Sequence, residues 1–344
     1  MFPFHHLHPP AFWYNSPSLK PSPPKAFTPG WPKILAPFTL ITRILSAHRL
    51  KGRNKSPFPI PVLCCGNLTV GGSGKTPVTI ALVQELQKAG KNVHILCRGY
   101  GGKLKAATRV DLASHGADLV GDEALLLAQY APCWMGANRL ETAWLAQKAG
   151  ADCLVMDDGF QNTTLTPTMG LLIINSQRGF GNGYLLPAGP LREPVSAGMA
   201  RAAGVIFIGP PHQELLRHLP PSLEYWQAKR KADPALAKLY NRTVVAFSGI
   251  GEPEQFFAMI RTAKPAKVIT QSFPDHFPFP EKTIRQLYKL AEKNNAILVT
   301  TEKDCMKIPP SFRKNLFILS LSLEWENPEA PTLIIKKFLN SYLP

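Results

Sequence analysis

The feature that most constrains the fold is a glycine-rich stretch between an apolar run and a helical pattern. Residues 60–65 are predicted to form a buried strand and residues 77–89 a helix. The chain between them reads Gly66-Asn-Leu-Thr-Val-Gly71-Gly72-Ser73-Gly74-Lys75-Thr76-Pro77. Glycines let successive backbone N–H groups turn toward phosphate oxygens, and a helix N-terminus adds partial positive charge. The stretch therefore predicts a phosphate-binding loop at the start of an α/β sheet.

The residue types in this loop predict which atoms would contact phosphate and which would contact Mg²⁺. Gly71, Gly72, Ser73 and Gly74 are expected to cradle nucleotide phosphates through the backbone. Lys75 is expected to reach the β- and γ-phosphates, and the hydroxyl of Thr76 to ligate Mg²⁺. The strict pattern of such loops is not met, because Thr69 occupies the first glycine position. The alternative is a plain strand-to-helix turn, which would not need a lysine here.

Strand and helix patterns alternate through the rest of the chain, which predicts a doubly wound, mainly parallel sheet followed by a smaller α/β domain. We expect a proline-rich basic arm and amphipathic helix over residues 1–59. A phosphate-loop domain is expected over residues 60–228, a linker over 229–241 and the smaller domain over 242–344.

A second acidic motif follows the apolar strand predicted over residues 152–156. This strand ends in Asp157 and Asp158, and an acid at the end of a strand beside a phosphate loop can hold Mg²⁺ directly or through water. The Asp-Asp-Gly sequence is also a common turn. The neighbouring Gly-Lys-Thr sequence favours the metal interpretation.

Basic residues are concentrated at the N-terminus. Of the net charge of +16, residues 1–84 supply nine Lys/Arg and no acid, since the first acid is Glu85. Such a block points to an anionic partner, either phospholipid or nucleic acid. Residues 33–50 can form a helix that carries Leu35, Phe38, Ile41, Leu45 and Leu50 roughly on one face. This face is expected either to lie on a membrane or to pack on the domain.

Other classes of protein are excluded by simpler patterns. No run of 18 apolar residues predicts a membrane span, and the N-terminus lacks the pattern of a secretory signal. The six cysteines form no C-x₂-C pair, so we expect buried, reduced thiols.

Several further motifs accompany the phosphate loop and the Pro10-Ala-Phe-Trp13 start. They are Arg98-Gly-Tyr-Gly-Gly102, Gly121-Asp122-Glu123-Ala124, Asp157-Asp-Gly-Phe-Gln-Asn162, Leu186-Pro-Ala-Gly-Pro-Leu-Arg-Glu-Pro194, Phe273-Pro-Asp-His276-Phe277 and Val299-Thr-Thr-Glu-Lys-Asp304. Together these motifs resemble those of the tetraacyldisaccharide 4′-kinase family, also called lipid A 4′-kinases. They run in order from residue 10 to residue 304, so the resemblance covers nearly the whole chain.

The resemblance implies transfer of the γ-phosphoryl group of ATP, with Mg²⁺, to the 4′-hydroxyl of a tetraacyldisaccharide 1-phosphate, a lipid A precursor. It implies that Asp122 is the base and that His276 is its dyad partner. It also implies an anionic membrane surface as a partner, at the cytoplasmic face of the bacterial inner membrane, with peripheral or monotopic attachment. No nucleic acid is expected.

The residues alone leave other roles open. Asp122 lies where a helix begins and is suited to cap it, and His276 lies among phenylalanines, where a packed loop histidine is the default. Arg192 is a candidate ligand for a nucleotide or substrate phosphate, and an Arg192–Glu193 pair that only orders the loop is the alternative. Tyr100 is a candidate for the lining of the nucleotide site.

Two rival functions follow from the same features. A regulatory GTPase would usually carry an N-K-x-D motif after a strand, and neither Asn54-Lys-Ser-Pro nor Thr301-Glu-Lys-Asp304 fits it. A nucleic-acid-binding protein would use the basic block and aromatic residues such as Phe12, Trp13, Tyr14 and Trp31. No recognised nucleic-acid module accompanies them.

Overall fold

Strands and helices alternate along the computed structural model, which describes residues 10–14, 30–52 and 56–342. The strands are β1 (Val62–Gly66), β2 (Val93–Cys97), β3 (Thr108–Arg109), β4 (Cys133–Met135), β5 (Cys153–Asp157), β6 (Met169–Asn175), β7 (Gly204–Ile208), β8 (Tyr225–Ala232), β9 (Thr243–Ser248), β10 (Lys267–Ser272), β11 (Ile297–Thr301), β12 (Phe317–Leu319) and β13 (Leu321–Trp325). The α-helices are α1 (Trp31–Leu35), α2 (Thr39–Lys51), α3 (Lys75–Lys88), α4 (Ala117–Val120), α5 (Asp122–Ala128), α6 (Arg139–Lys148), α7 (Val195–Met199), α8 (Gln213–Leu216), α9 (Pro253–Thr262), α10 (Glu281–Lys293), α11 (Glu302–Cys305) and α12 (Ala330–Asn340). Short 3₁₀-helices cover Ala11–Trp13, Ala36–Phe38, Pro234–Leu239 and Pro310–Asn315.

The described residues divide into two compact units. Gly99–Ala137 and Arg230–Ser322 form the smaller unit, and the other described residues form the larger one. Each unit is therefore assembled from separate stretches of the chain. The contiguous domain boundaries expected from the sequence remain a prediction.

The larger unit is built on a mainly parallel sheet. Its strands follow the order β13-β8-β7-β6-β1-β5-β2, and β1 pairs in parallel with both β5 and β6. Strands β1, β2, β5, β6 and β7 are buried along their whole length. Such fully buried strands are typical of parallel sheets covered by helices on both faces. The predicted doubly wound α/β fold is confirmed.

The register of this sheet brings the two sequence motifs to one edge. Cys65 in β1 lies opposite Asp157 in β5, and both strands end within one residue of that pair. The glycine-rich loop leaves β1 and the Asp157-Asp158 motif ends β5. Both therefore lie at the carboxyl edge of the sheet, where α/β folds bind ligands.

Gly66 permits a close approach of the chain at this edge. A Cβ atom built on Gly66 would lie 2.4 Å from the Cβ of Phe160 and 3.0 Å from its backbone nitrogen. Both atoms belong to the turn that follows the two aspartates. A glycine is therefore required for the loop to leave β1 beside that turn.

The smaller unit has its own three layers. Its four-stranded sheet has the order β10-β9-β11-β12 with all strands parallel, and the unit also contains β3 and β4, which pair antiparallel. Along β9, Val244 and Ala246 pack in one core cluster with residues of α9, whereas Val245 and Phe247 pack in another with residues of α10. Because side chains alternate across a strand, the two helices cover opposite faces of this sheet. The predicted smaller α/β unit is confirmed.

Some elements differ from their predicted bounds. Helix α3 begins at Lys75 and not at Pro77, because proline is tolerated in the first turn of a helix. Strands β12 and β13 are separated only by Ser320. The backbone N–H and hydroxyl of Ser320 donate to Asp233 Oδ2 at 3.1 and 2.9 Å, which takes this residue out of the strand pairing.

Other elements were not predicted at all. Strands β3 and β4, helix α6 and strand β8 carry no clear periodic pattern. The stretch 229–241, expected to be a linker, contains the end of β8 and the 3₁₀-helix Pro234–Leu239.

Near the N-terminus, the helix expected over residues 33–50 is present as α1, a 3₁₀ turn that contains Pro37, and α2. Much of the expected proline-rich arm, residues 1–9 and 15–29, lies outside the described residues. Trp13 is buried, and its indole N–H donates to the carbonyl of Pro187 at 3.1 Å. Within the described ranges, no helix combines the length and apolar character needed to cross a membrane. All six cysteines are buried and free, as predicted.

We predict that Gly66→Ala destabilises the protein, because the added methyl group would overlap the backbone next to Phe160. The expected loss is about 2 kcal/mol or more in the free energy of unfolding, measured by urea denaturation. Gly72→Ala is the matched control, since a Cβ there meets nothing within 4 Å. The free energy of unfolding of this control is expected to change by less than about 1 kcal/mol. Equal stability of the two variants would contradict the close approach.

Candidate active-site residues

The glycine-rich loop lies on a second loop of the larger unit. The backbone N–H of Val70 donates to the carbonyl of Pro190 at 2.9 Å, and that of Arg192 donates to the carbonyl of Leu68 at 2.8 Å. Inside the loop, the Asn67 side chain donates to the buried Ser73 hydroxyl at 3.0 Å. The loop is therefore held in shape by backbone pairing and one internal side-chain bond.

Lys75 is the first residue of α3 and lies next to a carboxylate. Its Nζ atom is 3.6 Å from Asp158 Oδ1, and Arg192 Nη1 is 3.0 Å from the same oxygen. Burial alone would raise the pKa of Asp158, but Arg192 and Lys75 outweigh it and hold this pKa well below its usual range. Three predicted site residues are thus brought together as two cations around one carboxylate.

Asp157 has a different environment, although it adjoins Asp158. Its Oδ1 atom accepts a hydrogen bond from the hydroxyl of Thr79 at 2.7 Å, and both side chains are buried. Thr79 lies one helical turn after Lys75 on α3, and sequence analysis did not single it out. Thr76, the predicted metal ligand, is the second residue of α3.

Arg192 and Glu193 do not pair with each other. Arg192 binds Asp158, and its second contact is with Gln161 Oε1 at 3.3 Å. Glu193 is fully buried and pairs with Arg201 at 2.8 Å. The alternative of an Arg192–Glu193 pair is therefore wrong, because consecutive residues in this extended loop point to different partners.

Asp122 and His276 meet in the smaller unit, although 154 residues separate them in the chain. His276 Nδ1 lies 3.1 Å from Asp122 Oδ2. Asp122 Oδ1 accepts the backbone N–H of Glu123 at 2.9 Å, at the start of α5. One carboxylate oxygen thus accepts an N–H in the first turn of α5, and the other faces the imidazole. Asp122 is the first residue of α5 and Gly121 is its N-cap, so Asp122 does not cap the helix, and its role as the base remains a prediction.

His276 is separate from the phenylalanines that surround it in sequence. Phe273, Phe277 and Phe279 pack against one another with ring centroids 4.9–5.3 Å apart. His276 instead contacts Asp122 and has a φ of 154°, which residues other than glycine rarely adopt. Such a conformation is kept only where the surrounding structure enforces it, and it is more frequent at functional sites.

Two lysines complete the surroundings of Asp122, and sequence analysis missed their role. Lys303 Nζ and Lys307 Nζ lie 4.0 and 3.8 Å from Asp122 Oδ2. Burial alone would raise the pKa of Asp122, but Lys303, His276 and Lys307 outweigh it and lower this pKa below its usual range. The i, i+4 spacing of the lysines, on and just after α11, was the available signal.

The pKa of His276 is shifted in the opposite direction. The hydrogen bond to Asp122 raises it, burial opposes the shift, and the Asp122 charge adds to it. Together the two side chains form an ionised carboxylate beside a readily protonated imidazole. Such a pair can accept a proton from an alcohol.

Gly121 and Tyr100 lie next to the Asp122–His276 pair. Gly121 has a φ of 90°, and a Cβ atom built on it would lie 2.3 Å from the Tyr100 carbonyl oxygen. The Tyr100 ring centroid is 5.7 Å from that of His276. Tyr100 therefore lies beside the histidine, and its expected role at the nucleotide remains a prediction.

The raised pKa of His276 predicts a pH-dependent contribution to stability. The folded protein binds this proton more tightly than the unfolded chain does. The stabilisation is complete below the ordinary histidine pKa of about 6.5 and is lost as the pH rises through the higher value in the fold. His276→Gln should therefore lower the free energy of unfolding more at about pH 5.5 than at about pH 9, in urea denaturation at both pH values.

The exposed His212 provides the control for this measurement. His212→Gln is expected to change stability by the same small amount at both pH values. If the cost of His276→Gln does not depend on pH, the proposed coupling to Asp122 is wrong.

Comparison with known proteins gives a consistent result. A family model described as tetraacyldisaccharide-1-P 4′-kinase matches residues 31–339. A tetraacyldisaccharide 4′-kinase of Gluconacetobacter diazotrophicus is 43% identical over 335 residues, 97% of this chain and 99% of that protein. One from Rhodospirillum rubrum is 41% identical over 317 residues, 91% of this chain and 96% of that protein.

One solved structure is similar to this chain in fold as well as in sequence. It is a crystal structure of an "apo" form of LpxK from Aquifex aeolicus in complex with ATP. It has a TM-score of 0.71 and 27% identity, and the match covers 89% of this chain and 99% of that one. The chain therefore belongs to the tetraacyldisaccharide-1-P 4′-kinase family.

Proposed function

We propose that the protein is an ATP-dependent kinase that transfers the γ-phosphoryl group to the 4′-hydroxyl of a tetraacyldisaccharide 1-phosphate in lipid A biosynthesis. The observation that carries this proposal is family membership over almost the whole chain. The side chains described above supply what such a reaction needs: a phosphate loop, paired acids and a carboxylate–imidazole pair. Phosphoryl transfer depends chiefly on positioning and on the stabilisation of charge.

ATP is proposed to bind through the phosphate loop. The backbone N–H groups of Gly71, Gly72, Ser73 and Gly74 would take the phosphate oxygens, with Lys75 at the β- and γ-phosphates. Support comes from the position of Lys75 at the N-terminus of α3, after Gly74 with a φ of 89°. Arg192, already beside Lys75 and Asp158, would add a second cation for phosphate binding.

Mg²⁺ is proposed to bind through Thr76, Asp157 and Asp158, whose oxygen atoms are the donors this ion prefers. Thr79 fixes the Asp157 carboxylate by donating to Oδ1, and a carboxylate oxygen can still accept a metal with its second lone pair. Within the described residues, no cluster of three or more His, Cys, Asp or Glu side chains could hold a metal. Mg²⁺ in phosphate-binding sites is usually held by only one or two carboxylates, and phosphate oxygens and water complete its coordination shell. The ion would neutralise charge on the phosphates.

Asp122 is proposed as the base that accepts the proton of the sugar hydroxyl, and His276 as the group that orients it. The carboxylate is kept ionised by its neighbours, and its Oδ2 atom is fixed by the imidazole at 3.1 Å. His276 can share the proton as it arrives, because its pKa is raised. Tyr100 would help to hold the imidazole ring in place.

Helix α2 is proposed to dock on an anionic membrane, at the cytoplasmic face of the bacterial inner membrane. Its large apolar side chains are exposed: Leu40 58%, Ile41 51%, Ile44 59% and Leu45 48%. A polar side chain of the helix bonds to another part of the larger unit, since the Thr42 hydroxyl donates to the carbonyl of Leu186 at 2.6 Å. An apolar surface of this kind on a basic helix suits a lipid surface, where the acylated substrate resides.

Lipid phosphorylation is the direct test of the function. The purified full-length protein is incubated with γ-labelled ATP, Mg²⁺ and tetraacyldisaccharide 1-phosphate in mixed micelles. We expect label in the lipid, and none with Lys75→Met. Release of label only as inorganic phosphate, or selective use of GTP, would overturn the proposal.

We predict that Asp122→Asn lowers kcat for lipid phosphorylation by about 100-fold or more, because the neutral amide cannot accept the proton. The dissociation constant for ATP, measured by isothermal titration calorimetry, is expected to stay within about twofold. Asp118→Asn is the matched control, since it makes the same chemical change at an exposed acid of the smaller unit. An unchanged kcat in Asp122→Asn would remove Asp122 from the chemistry.

We also predict that Leu40→Glu/Ile44→Glu lowers partitioning to vesicles of phosphatidylethanolamine and phosphatidylglycerol by about tenfold or more in flotation. The change removes two apolar side chains from the proposed docking surface and adds charge. Leu112→Glu/Leu333→Glu is the control, because these leucines are also exposed but lie outside α2. Equal partitioning of the two double variants would show that α2 is not the anchor.

A further inference from the structure

The proposed base Asp122 lies against a buried ion pair that the proposed mechanism does not use. Lys307 and Asp304 form this pair, with 2.7 Å between Nζ and Oδ1, and their side chains are 3% and 0% exposed. Both belong to the smaller unit, as Asp122 does. A buried pair of this kind is costly to assemble, so its retention calls for a role.

Asp304 is held in one position by three donors. Its Oδ2 atom accepts from the Ser248 hydroxyl at 2.7 Å, from the Gly249 backbone N–H at 3.1 Å and from the Thr301 hydroxyl at 2.8 Å. These donors lie at the ends of β9 and β11, the two central strands of the small sheet. The other oxygen faces Lys307. Asp304 is therefore a fixed anchor on the rigid part of the unit.

The ammonium group of Lys307 lies between Asp304 and Asp122. An ammonium group has three N–H donors. The Nζ atom lies 2.7 Å from Asp304 Oδ1, and it donates a hydrogen bond to the Gly249 carbonyl oxygen at 3.1 Å. Asp122 Oδ2 lies 3.8 Å from the same nitrogen. With so little water present, attraction between the two charges is only weakly screened.

Other charged groups also face Asp122, from each element around it. Glu123 follows it on α5, Asp275 and His276 lie in the loop after β10, and Lys303 lies on α11. Lys303 is 22% exposed and salt-bridged to Glu123 at 3.1 Å, so water and a partly exposed acid share its charge. Lys307 is the more deeply buried and more firmly held of the two lysines.

We propose that Lys307, anchored by Asp304, is a positioning residue that keeps the Asp122 carboxylate ionised and its Oδ2 atom in place for the acceptor hydroxyl. This inference rests on the proposed role of Asp122 as the base. The lowered pKa of Asp122, to which Lys307 contributes, is consistent with it. A base held ionised in this way returns to its charged form once the accepted proton has left.

The test compares the wild type, Lys307→Met and Lys307→Met/Asp304→Asn in the lipid phosphorylation assay over a range of pH. Lys307→Met alone leaves a buried carboxylate without its cation and is expected to be unstable. The double variant removes both charges with little change in shape and is expected to keep the fold, although the Gly249 carbonyl loses its donor. Circular dichroism and thermal unfolding report whether each variant is folded.

We expect the double variant to lose at least about tenfold in kcat near neutral pH and to shift the acidic limb of its pH profile upward by about one unit or more. The KM for ATP should stay within about twofold, since the phosphate loop is untouched. A purely structural pair would leave the pH profile in place. A folded double variant with the wild-type kcat and pH profile would overturn the inference.

The same assay tests the role of Lys307 separately from the proposed function and from the proposed role of Asp122 as the base. Absence of lipid phosphorylation by the wild type would refute the proposed function itself. Retention of kcat by Asp122→Asn would refute the base, and the role of Lys307 with it. A severe loss in Asp122→Asn together with wild-type behaviour of the double variant would refute the role of Lys307 alone.

Discussion

The structure depends on the compensation of buried negative charge. A carboxylate removed from water is stable only if cations or hydrogen-bond donors replace its hydration. The buried Glu193 has Arg201, and the buried Asp304 has Lys307 with three further donors, while the partly exposed Asp158 has Arg192 and Lys75. Asp158 and Asp304 in this way join segments that are far apart in the chain, since Lys75 and Arg192 contact the first and Ser248 and Gly249 donate to the second. The carboxylates therefore organise the loops at the strand ends as well as offering chemistry there.

The sheets explain why these charges lie where they do. In a parallel sheet the interior of each strand is apolar, and polar side chains are tolerated where a strand ends. β5 ends in Asp157, β9 in Ser248 and β11 in Thr301. The rigid strands then fix the first atoms of each network, and the loops and short helices beyond them supply the partners. In the larger unit Asp157 itself ends a strand, and in the smaller unit Asp304, whose partner Lys307 lies beside Asp122, is bound to the ends of β9 and β11.

Short sequence patterns were enough to predict much of the fold and part of the candidate site. The glycine-rich loop, the Asp157-Asp158 motif and the buried strands are visible because each is encoded within a few consecutive residues. The partners of Arg192 and Lys307 are not encoded locally. Nothing near Arg192 in the sequence points to Asp158, and its neighbour Glu193 is the more obvious partner. Only the fold, which brings separate segments together, decides between them.

The helix near the N-terminus shows another limit of sequence patterns. Its apolar residues predicted a face, and a face on a globular protein usually packs inward. Here Thr42 bonds to another segment of the larger unit, and the large apolar side chains before and after it in the helix are exposed. The sequence reports how apolar a helix is, but not which side of it the rest of the chain covers. Strand β8 was missed because only Trp226 and Ala228 of its eight residues are buried, so it carries no apolar run that would indicate a strand.

The pairing of Lys75 with Asp158 has a consequence for the energetics of ligand exchange. If Lys75 binds phosphate as proposed, an arriving phosphate does not meet an isolated cation, because it must compete with the carboxylate of Asp158 that already lies beside the lysine. Binding is then a replacement of one anion by another, and only the difference between the two interactions contributes to affinity. The same difference limits how tightly a spent nucleotide is retained. A phosphate site with a built-in competitor is suited to repeated turnover more than to tight storage of its ligand.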